Sequence, residues 1–226
     1  MSLILNIDTS TETAHVSIAR DGIVLQDTFN NEQKSHGSFL QPAIKKILSN
    51  TGVLLNEINA VAVTEGPGSY TGIRIGMASA KGLCYALNKP LITVNTLEVM
   101  SNSAIIYLQD QSDCITGLLC PMIDARRMEV FTAIYNSSLE NILAPCANML
   151  TEHSFDRYFE LGNVNFFGSG SEKWKNVCTN KNAFFYNIPM LSSAMSVLSA
   201  KKLEQNSFAS TAYTAPLYIK EFYING

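Results

Sequence analysis

Glu65-Gly66-Pro67-Gly68-Ser69-Tyr70-Thr71-Gly72-Ile73-Arg74-Ile75-Gly76 is the segment whose residue types and spacing come nearest to chemistry. A Gly-Pro-Gly turn bends more tightly than residues bearing a Cβ allow. Ser69 or Thr71 then stands where a hydroxyl caps the helix that follows. A glycine-rich loop entering a helix can hold an anion on its free N–H groups. The Walker Lys-Ser/Thr pair and the G-x-G-x-x-G fingerprint are both missing, which weighs against mononucleotide or Rossmann binding. The competing reading is packing. Gly72, Gly76 and Ser79 or Ala80 recur every three or four residues, which makes one row of small side chains on a helix. A helical glycine costs up to ~1 kcal/mol against alanine, and close approach of another backbone accounts for such a cost. The spacing leaves open whether that backbone belongs to a second subunit or to the chain's own sheet.

Other reactive side chains are scattered. The three histidines, His15, His36 and His153, contain no pair at i+3 or i+4, so an H-E-x-x-H metalloprotease helix is absent, and no G-x-S-x-G elbow accompanies them. The five cysteines, Cys84, Cys114, Cys120, Cys146 and Cys178, are odd in number and form no C-x-x-C pair. They read as buried or incidental thiols of a reducing compartment rather than as disulfides or zinc ligands.

The elements that must position these residues follow from pattern. Leu3 to Ile7 is an apolar strand ending in the hydroxyl-rich turn Asp8-Thr9-Ser10-Thr11. Val16 to Ala19 and Ile23 to Leu25 flank Asp21-Gly22, a strong hairpin signal. Phe39, Leu40, Ala43, Ile44, Ile47 and Leu48 have helical spacing, and Gly52 suits the C-cap. Ala60 to Val63 reads as a buried strand, Met77 to Leu87 as a helix and Leu91 to Val94 as a strand; Asn95 with Glu98 makes a capping-box-like start to another helix. The polar stretch Gln109–Asp113 reads as a domain boundary. Beyond it come strands over 117–123 and 129–135, a strand entering Gly168-Ser169-Gly170, a helix over 192–203 and a final extended piece over 215–219. Helices alternating with strands, then a second strand-rich half, give an α/β two-lobed architecture.

At 226 residues the chain can bury one large core or two small ones. Charged residues are 15% and the net charge is −3, which argues against this chain alone being a strong nucleic-acid binder. No apolar run reaches the length of a membrane span and no basic n-region precedes an apolar h-region, so a soluble, cytoplasmic protein is expected.

These residues resemble the bacterial TsaB (YeaZ) family. The matching segments are Ile4 to Thr11, Gly66 to Gly76, Asp124-Ala125-Arg126-Arg127 with Glu129-Val130, and Ala215 to Ile219. The resemblance implies an actin-like/sugar-kinase (ASKHA) fold of two related lobes, expected at 1–108 and 109–226, the second smaller and degenerate, with about 190–226 packing back on the first. It implies a non-catalytic accessory subunit in the making of tRNA threonylcarbamoyladenosine. Such a subunit docks on and activates a catalytic homologue, TsaD, and works with an ATPase, TsaE; a separate enzyme, TsaC, makes the threonylcarbamoyl-adenylate. The alternatives are a free-standing ATP-dependent kinase of the same fold and a peptidase. The kinase lacks support because the glycine expected after Asp8 is replaced by Thr9 and Ser10. The peptidase lacks the H-x-x-x-H metal pair, of which only His36 stands in the corresponding region.

The site expectations are these. Gly68, Tyr70, Gly72, Ile73, Gly76, Ser79 and Ala80, beside Phe39 and Ala43, form a helix contact with the partner subunit, or a homodimer when the chain is isolated. Asp8, Thr9 and Ser10 are the place for phosphate, with local capping as the alternative. No residue is assigned to catalysis and no metal is expected; ATP or ADP belongs near the subunit interface of the complex. Gly168-Ser169-Gly170 reads as a plain turn, with a remnant adenosine-side loop as the alternative. Arg126 and Arg127 suit contact with tRNA phosphates, while a salt-bridged turn between the two strands, with Asp124 and Glu129, is the expectation.

Overall fold

The computed structural model describes residues 2–32, 35–111 and 116–220, and structural statements concern these. β1 (Leu3–Asp8), β2 (Ala14–Arg20) and β3 (Ile23–Asn30) form an antiparallel meander. Its second turn places Asp21 at φ 50° and Gly22 at φ 81°, the left-handed backbone that an Asp-Gly hairpin needs. α1 (His36–Thr51) ends on Gly52, also left-handed. β4 (Ala60–Gly66), α2 (Tyr70–Leu87) and β5 (Leu91–Asn95) complete two parallel crossovers, and the first sheet runs β3-β2-β1-β4-β5. α3 (Thr96–Asp110) follows, with the Leu97 N–H donating to Asn95 Oδ1 at 2.9 Å.

The second sheet repeats the first. β6 (Leu118–Asp124), β7 (Glu129–Tyr135) and β8 (Asn141–Met149) are an antiparallel meander; α4 (Asp156–Phe159), β9 (Val164–Phe167), α5 (Ser171–Lys175) and β10 (Ala183–Tyr186) follow. The order is β8-β7-β6-β9-β10, with β6–β9 and β9–β10 parallel. In each sheet the first strand is central, the next two fold antiparallel on one side and the last two add in parallel on the other. This is one topology used twice. α6 (Ser192–Glu204) is the last helix among the described residues.

The described residues divide into two compact units, one reaching to Val99 and taking back Met190–Leu217, the other formed by Met100–Pro189 with Tyr218 to Lys220. The boundary expected at 108/109 is therefore corrected to Val99/Met100, inside α3. The polar run marked the end of a helix, and a continuous helix carries no compositional sign of the seam it crosses. In the first unit Leu5 and Ile7 of β1 and Val61 and Val63 of β4 pack with Leu40, Ile44 and Ile47 of α1 and Met77 and Ala80 of α2. The alternate residue Asn6 faces α6 instead: its Nδ2 donates to Ser196 Oγ at 3.2 Å and its Oδ1 accepts from Ser199 Oγ at 2.7 Å. In the second unit Trp174, Phe155 and Phe166 form an aromatic core, with the Phe155 ring 5.1 Å from Trp174 and 5.2 Å from Phe166. Among the described residues no helix is long and apolar enough to cross a membrane.

Candidate functional site: the Asp8 turn and the glycine loop

β1 delivers Asp8 to the end of the sheet with 2% of its surface exposed. Its Oδ1 accepts from the Ser10 N–H at 2.9 Å, from Ser10 Oγ at 2.6 Å and from Thr64 Oγ1 of β4 at 2.8 Å. Asp8 Oδ2 has no partner. Thr9 and Ser10, both wholly buried, fasten the glycine loop. Thr9 Oγ1 donates to the Gly72 carbonyl at 2.7 Å, and the Ser69 N–H donates to the Ser10 carbonyl at 2.7 Å. Ser69 caps α2, its Oγ accepting from the Gly72 N–H at 3.2 Å. The Ile73 N–H donates to the Ser69 carbonyl. The N–H groups of Ser10, Ser69, Gly72 and Ile73 are thus all engaged inside the chain. A carboxylate, not an open row of donors, heads the turn. Asp8 Oδ1 is engaged in local capping of the Ser10 N–H, the alternative to holding a phosphate.

The glycines serve that junction. A Cβ on Gly68 would overlap the Ser10 carbonyl oxygen; on Gly72, the Thr9 carbonyl oxygen; on Gly76, Thr9 Oγ1, with Val63 Cγ2 3.4 Å and Ile7 Cγ2 3.5 Å away. The row Gly72, Gly76 and Ala80 therefore faces the chain's own β1 and β4, and its placement at a contact between subunits is corrected. Ala43, 4% exposed, lies in the same core, and Ile73, 1% exposed, is buried against the Gly66 turn. The cause is geometric: α2 starts so close to the Asp8 turn that only hydrogen fits between them. Of the other residues expected there, Tyr70 is exposed with Arg74 Cζ 3.7 Å from its ring centroid, Ser79 Oγ accepts from Gln41 Nε2 of α1 at 3.3 Å, and Phe39 is half-buried at the core's edge.

The last matching segment reaches this loop too. The Leu217 N–H donates to the Glu65 carbonyl at 2.7 Å, and a Cβ on Gly66 would stand 2.8 Å from the Leu217 carbonyl oxygen. Lys81 Nζ of α2 donates to the carbonyls of Ala212 at 3.2 Å and Thr214 at 2.9 Å. The segment over 215–217 is thus a strap across the Gly66 turn, held by one backbone bond, with Lys81 fastening the residues just before it.

His36 opens α1 with its Nε2 3.0 Å from the Thr11 carbonyl, a loop-fastening role, and the described residues contain no cluster of three His, Cys, Asp or Glu suited to a metal. In the second unit, Gly168 and Gly170 also answer to close approach: a Cβ on Gly168 would press on the Met100 side chain and the Met122 carbonyl, and one on Gly170 would stand 2.7 Å from Val130 Cγ1 and 3.1 Å from Met122 Cβ. Gly168-Ser169-Gly170 is the plain turn expected, and Ser169 Oγ accepts from the Asp124 N–H at 3.1 Å.

The family model described as TsaD, tRNA N6-adenosine threonylcarbamoyltransferase, matches residues 23–219. The chain belongs to this family. Curated relatives named tRNA threonylcarbamoyladenosine biosynthesis protein TsaB include one from Bacillus subtilis, 32% identical over 152 residues, which cover 66% of this chain and 63% of the relative. Another, from Escherichia coli, is 39% identical over 132 residues, 58% of this chain and 54% of the relative. The chain thus spans between 54% and 63% of the length of these two relatives. A solved structure from Pseudomonas aeruginosa, described as similar to the peptidase YeaZ, superposes with a TM-score of 0.83 at 21% identity, covering 97% of this chain and 100% of that one. A second, YeaZ from the same organism, gives 0.80 at 23% identity over 96% and 100%. The TsaB/YeaZ resemblance holds, and so does the actin-like fold of two related lobes, which the doubled sheet order displays directly.

For this member of the TsaD family, the strings that carried the resemblance now have physical roles. The GPGSYTGIRIG string is the close junction of α2 with the Asp8 turn, and the Ala215-Pro216-Leu217 string is the strap over it. The Asp124–Glu129 string is different. Its carboxylates are paired by lysines distant in sequence, Asp124 Oδ1 with Lys173 Nζ at 2.7 Å and Glu129 Oε2 with Lys220 Nζ at 2.5 Å. The salt-bridged turn exists, but Arg126 and Arg127 are not its cations. Neither Lys173 nor Lys220 was legible as a partner, because 49 and 91 residues separate the members of the pairs.

Proposed function

We propose that this chain is a non-catalytic accessory subunit of the complex that forms threonylcarbamoyladenosine on tRNA, docking on and activating a TsaD-like catalytic homologue, with a TsaE-like ATPase as a further partner. The names of its relatives supply the pathway. The observation that carries the accessory role is the Asp8 turn: the hydroxyls of Thr9 and Ser10 and the N–H groups of Ser10, Ser69, Gly72 and Ile73 are engaged within the chain. A turn so engaged positions a helix. ATP or ADP is assigned to the interface of the complex and not to this turn.

The docking face follows from the corrected geometry. α1 and α2 lie side by side, joined by the Gln41–Ser79 bond, with Phe39, Ile75 and Leu83 half-buried at the edge of the core. On the outer side of α2 stand Ala78 and Gly82, both exposed, and a Cβ on Gly82 would meet nothing within 4 Å. A helix-interior glycine costs up to ~1 kcal/mol relative to alanine, and here the chain's own packing does not require it. The outer faces of α1 and α2 therefore replace the buried row as the surface for the partner, or for a second copy when the chain is isolated. Purified chain given ATP, tRNA and threonylcarbamoyl-adenylate should leave the tRNA unmodified until the catalytic homologue is added. Efficient modification by this chain alone would overturn the proposal. Gly82→Leu should lower affinity for the homologue roughly tenfold or more without lowering the melting temperature.

A further inference from the structure

Four residues, Ala125, Arg126, Arg127 and Met128, join β6 to β7, with the Ala125 N–H donating to the Glu129 carbonyl at 3.0 Å and the Glu129 N–H to the Arg126 carbonyl at 3.1 Å. Arg126 has φ 69° and Arg127 φ 48°, two successive left-handed residues neither of which is glycine, asparagine or aspartate. Each such residue costs on the order of 1–3 kcal/mol, and glycine at the same backbone would avoid it. Stability of the turn therefore does not account for arginine at either position. Both side chains are exposed; neither guanidinium has a hydrogen bond, a salt bridge or a ring contact among the described residues, and Arg126 acts on the Asp124 carboxylate only by longer-range charge attraction.

The surroundings keep those guanidiniums available. Asp124 is the nearest acid in sequence, and its carboxylate is held by Lys173 Nζ at 2.7 Å and by the Arg126 backbone N–H at 2.5 Å. Glu129 is held by Lys220 at 2.5 Å, and Lys173 Nζ also lies 3.4 Å from the Glu129 carbonyl. Both carboxylates at the base of the hairpin are thus neutralised from α5 and from the segment after Leu217. Four cations against two carboxylates leave a local charge of about +2 on a chain whose net charge is −3. A guanidinium presents a planar fork that matches phosphate oxygens bidentately. Attraction for a polyanion is in this way concentrated on one tip instead of being spread over the surface.

We infer that the β6–β7 hairpin is an RNA-backbone contact, with Arg126 and Arg127 each meeting a phosphate of the tRNA that the complex modifies. The inference rests on the proposed function for the identity of the RNA, and on the hairpin alone for the phosphate chemistry. Such contacts position the RNA without reading its sequence, so the hairpin acts on substrate register and leaves the chemistry to the catalytic partner.

The test titrates labelled, unmodified tRNA into the full chain and into the chain joined to its catalytic homologue, at several salt concentrations. Arg126→Ala with Arg127→Ala should weaken binding roughly tenfold at low salt and make the log–log salt slope shallower by about one to two. Arg126→Lys with Arg127→Lys should keep most of the salt slope, because charge is retained. Arg126→Gly with Arg127→Gly separates contact from architecture: relief of the left-handed strain should raise the melting temperature while tRNA affinity falls. Unchanged affinity and slope in the double alanine variant, with modification by the complex intact, would overturn the hairpin contact and leave the proposed function standing. Loss of affinity for the homologue in place of tRNA would also overturn it, making the tip a protein contact. Should the chain play no part in modification, the function falls, and the titration of the chain itself still decides the hairpin.

Discussion

Thr9 grips Gly72 from two directions: its Oγ1 donates to the Gly72 carbonyl at 2.7 Å, while its own carbonyl oxygen fills the space a Cβ on Gly72 would need. Gly76 meets the same threonine one turn on. The start of α2 is thereby fixed on the end of β1, and the glycine row is an internal seam.

Substitutions along α2 should divide sharply on this basis. Gly72→Ala and Gly76→Leu force a side chain into backbone or into Thr9, and overpacking of that kind costs ~1–3 kcal/mol or more. The isolated chain should melt several degrees lower in either case. Gly82→Ala, where nothing lies within 4 Å, should instead be neutral or stabilising by up to ~1 kcal/mol. Thermal melts of the three variants decide it: a Gly76→Leu variant as stable as wild type would remove the seam.

What was legible in the sequence was what local chemistry controls. Asp21-Gly22 announced its hairpin, Gly52 its helix end and Ser69 its cap, because each requirement is met within a few residues. The small row was visible too, yet spacing on a helix names no neighbour, and the sheet took the place expected of a second subunit. β8 passed unseen: as an edge strand containing Pro145 and largely half-exposed, it shows no clean alternation. β10 is four residues long, too short for a period. The Arg126–Arg127 pair stood out as charge, but its release from Asp124 and Glu129 depends on Lys173 and Lys220, which only the fold brings near.

The polar pair that ties the C-terminal helix to the first strand should couple energetically. Asn6 is 2% exposed and Ser199 wholly buried, and their bond is 2.7 Å long. Removing one partner leaves the other unsatisfied in the interior, at a cost of about 1–3 kcal/mol. Asn6→Ala and Ser199→Ala should each destabilise by that order, and the double variant by less than their sum. Hydrogen exchange should quicken in α6 first. Strict additivity would mean the two side chains do not depend on one another.

Thiol reactivity should follow burial. Burial pushes the Cys120 thiol up to about 12, against the smaller lowering by its bond with Thr132, and pushes Cys84 up to about 11. Neither holds an appreciable thiolate fraction at neutral pH, and both are nearly inaccessible. Alkylation of the native chain at pH 8, mapped by mass spectrometry, should mark the half-buried Cys146 and Cys178 well before Cys84 or Cys120. Early labelling of Cys120 would mean that the second core opens readily.

Acid sensitivity should centre on His15. β2 pairs it with Asp8, its Nδ1 lies 3.4 Å from Ser192 Oγ at the start of α6, and its ring stacks 5.7 Å from Phe29. Burial lowers its pKa from the ordinary 6.5, and the charges of Asp8 and Asp27 only partly restore it. A cation there would also face the positive end of the α6 dipole. As pH falls through 6.5, the unfolded chain takes up a proton that the folded chain resists, so the unfolded state binds more protons and stability declines. The decline continues until pH reaches the lower folded value and then levels off. His15→Gln removes this titration, so its melting temperature between pH 7.5 and 5.5 should fall less steeply than that of the wild type. Parallel curves for the two proteins would show that His15 is free to protonate in the folded chain, and that its packing between Phe29 and the start of α6 does not hold it neutral.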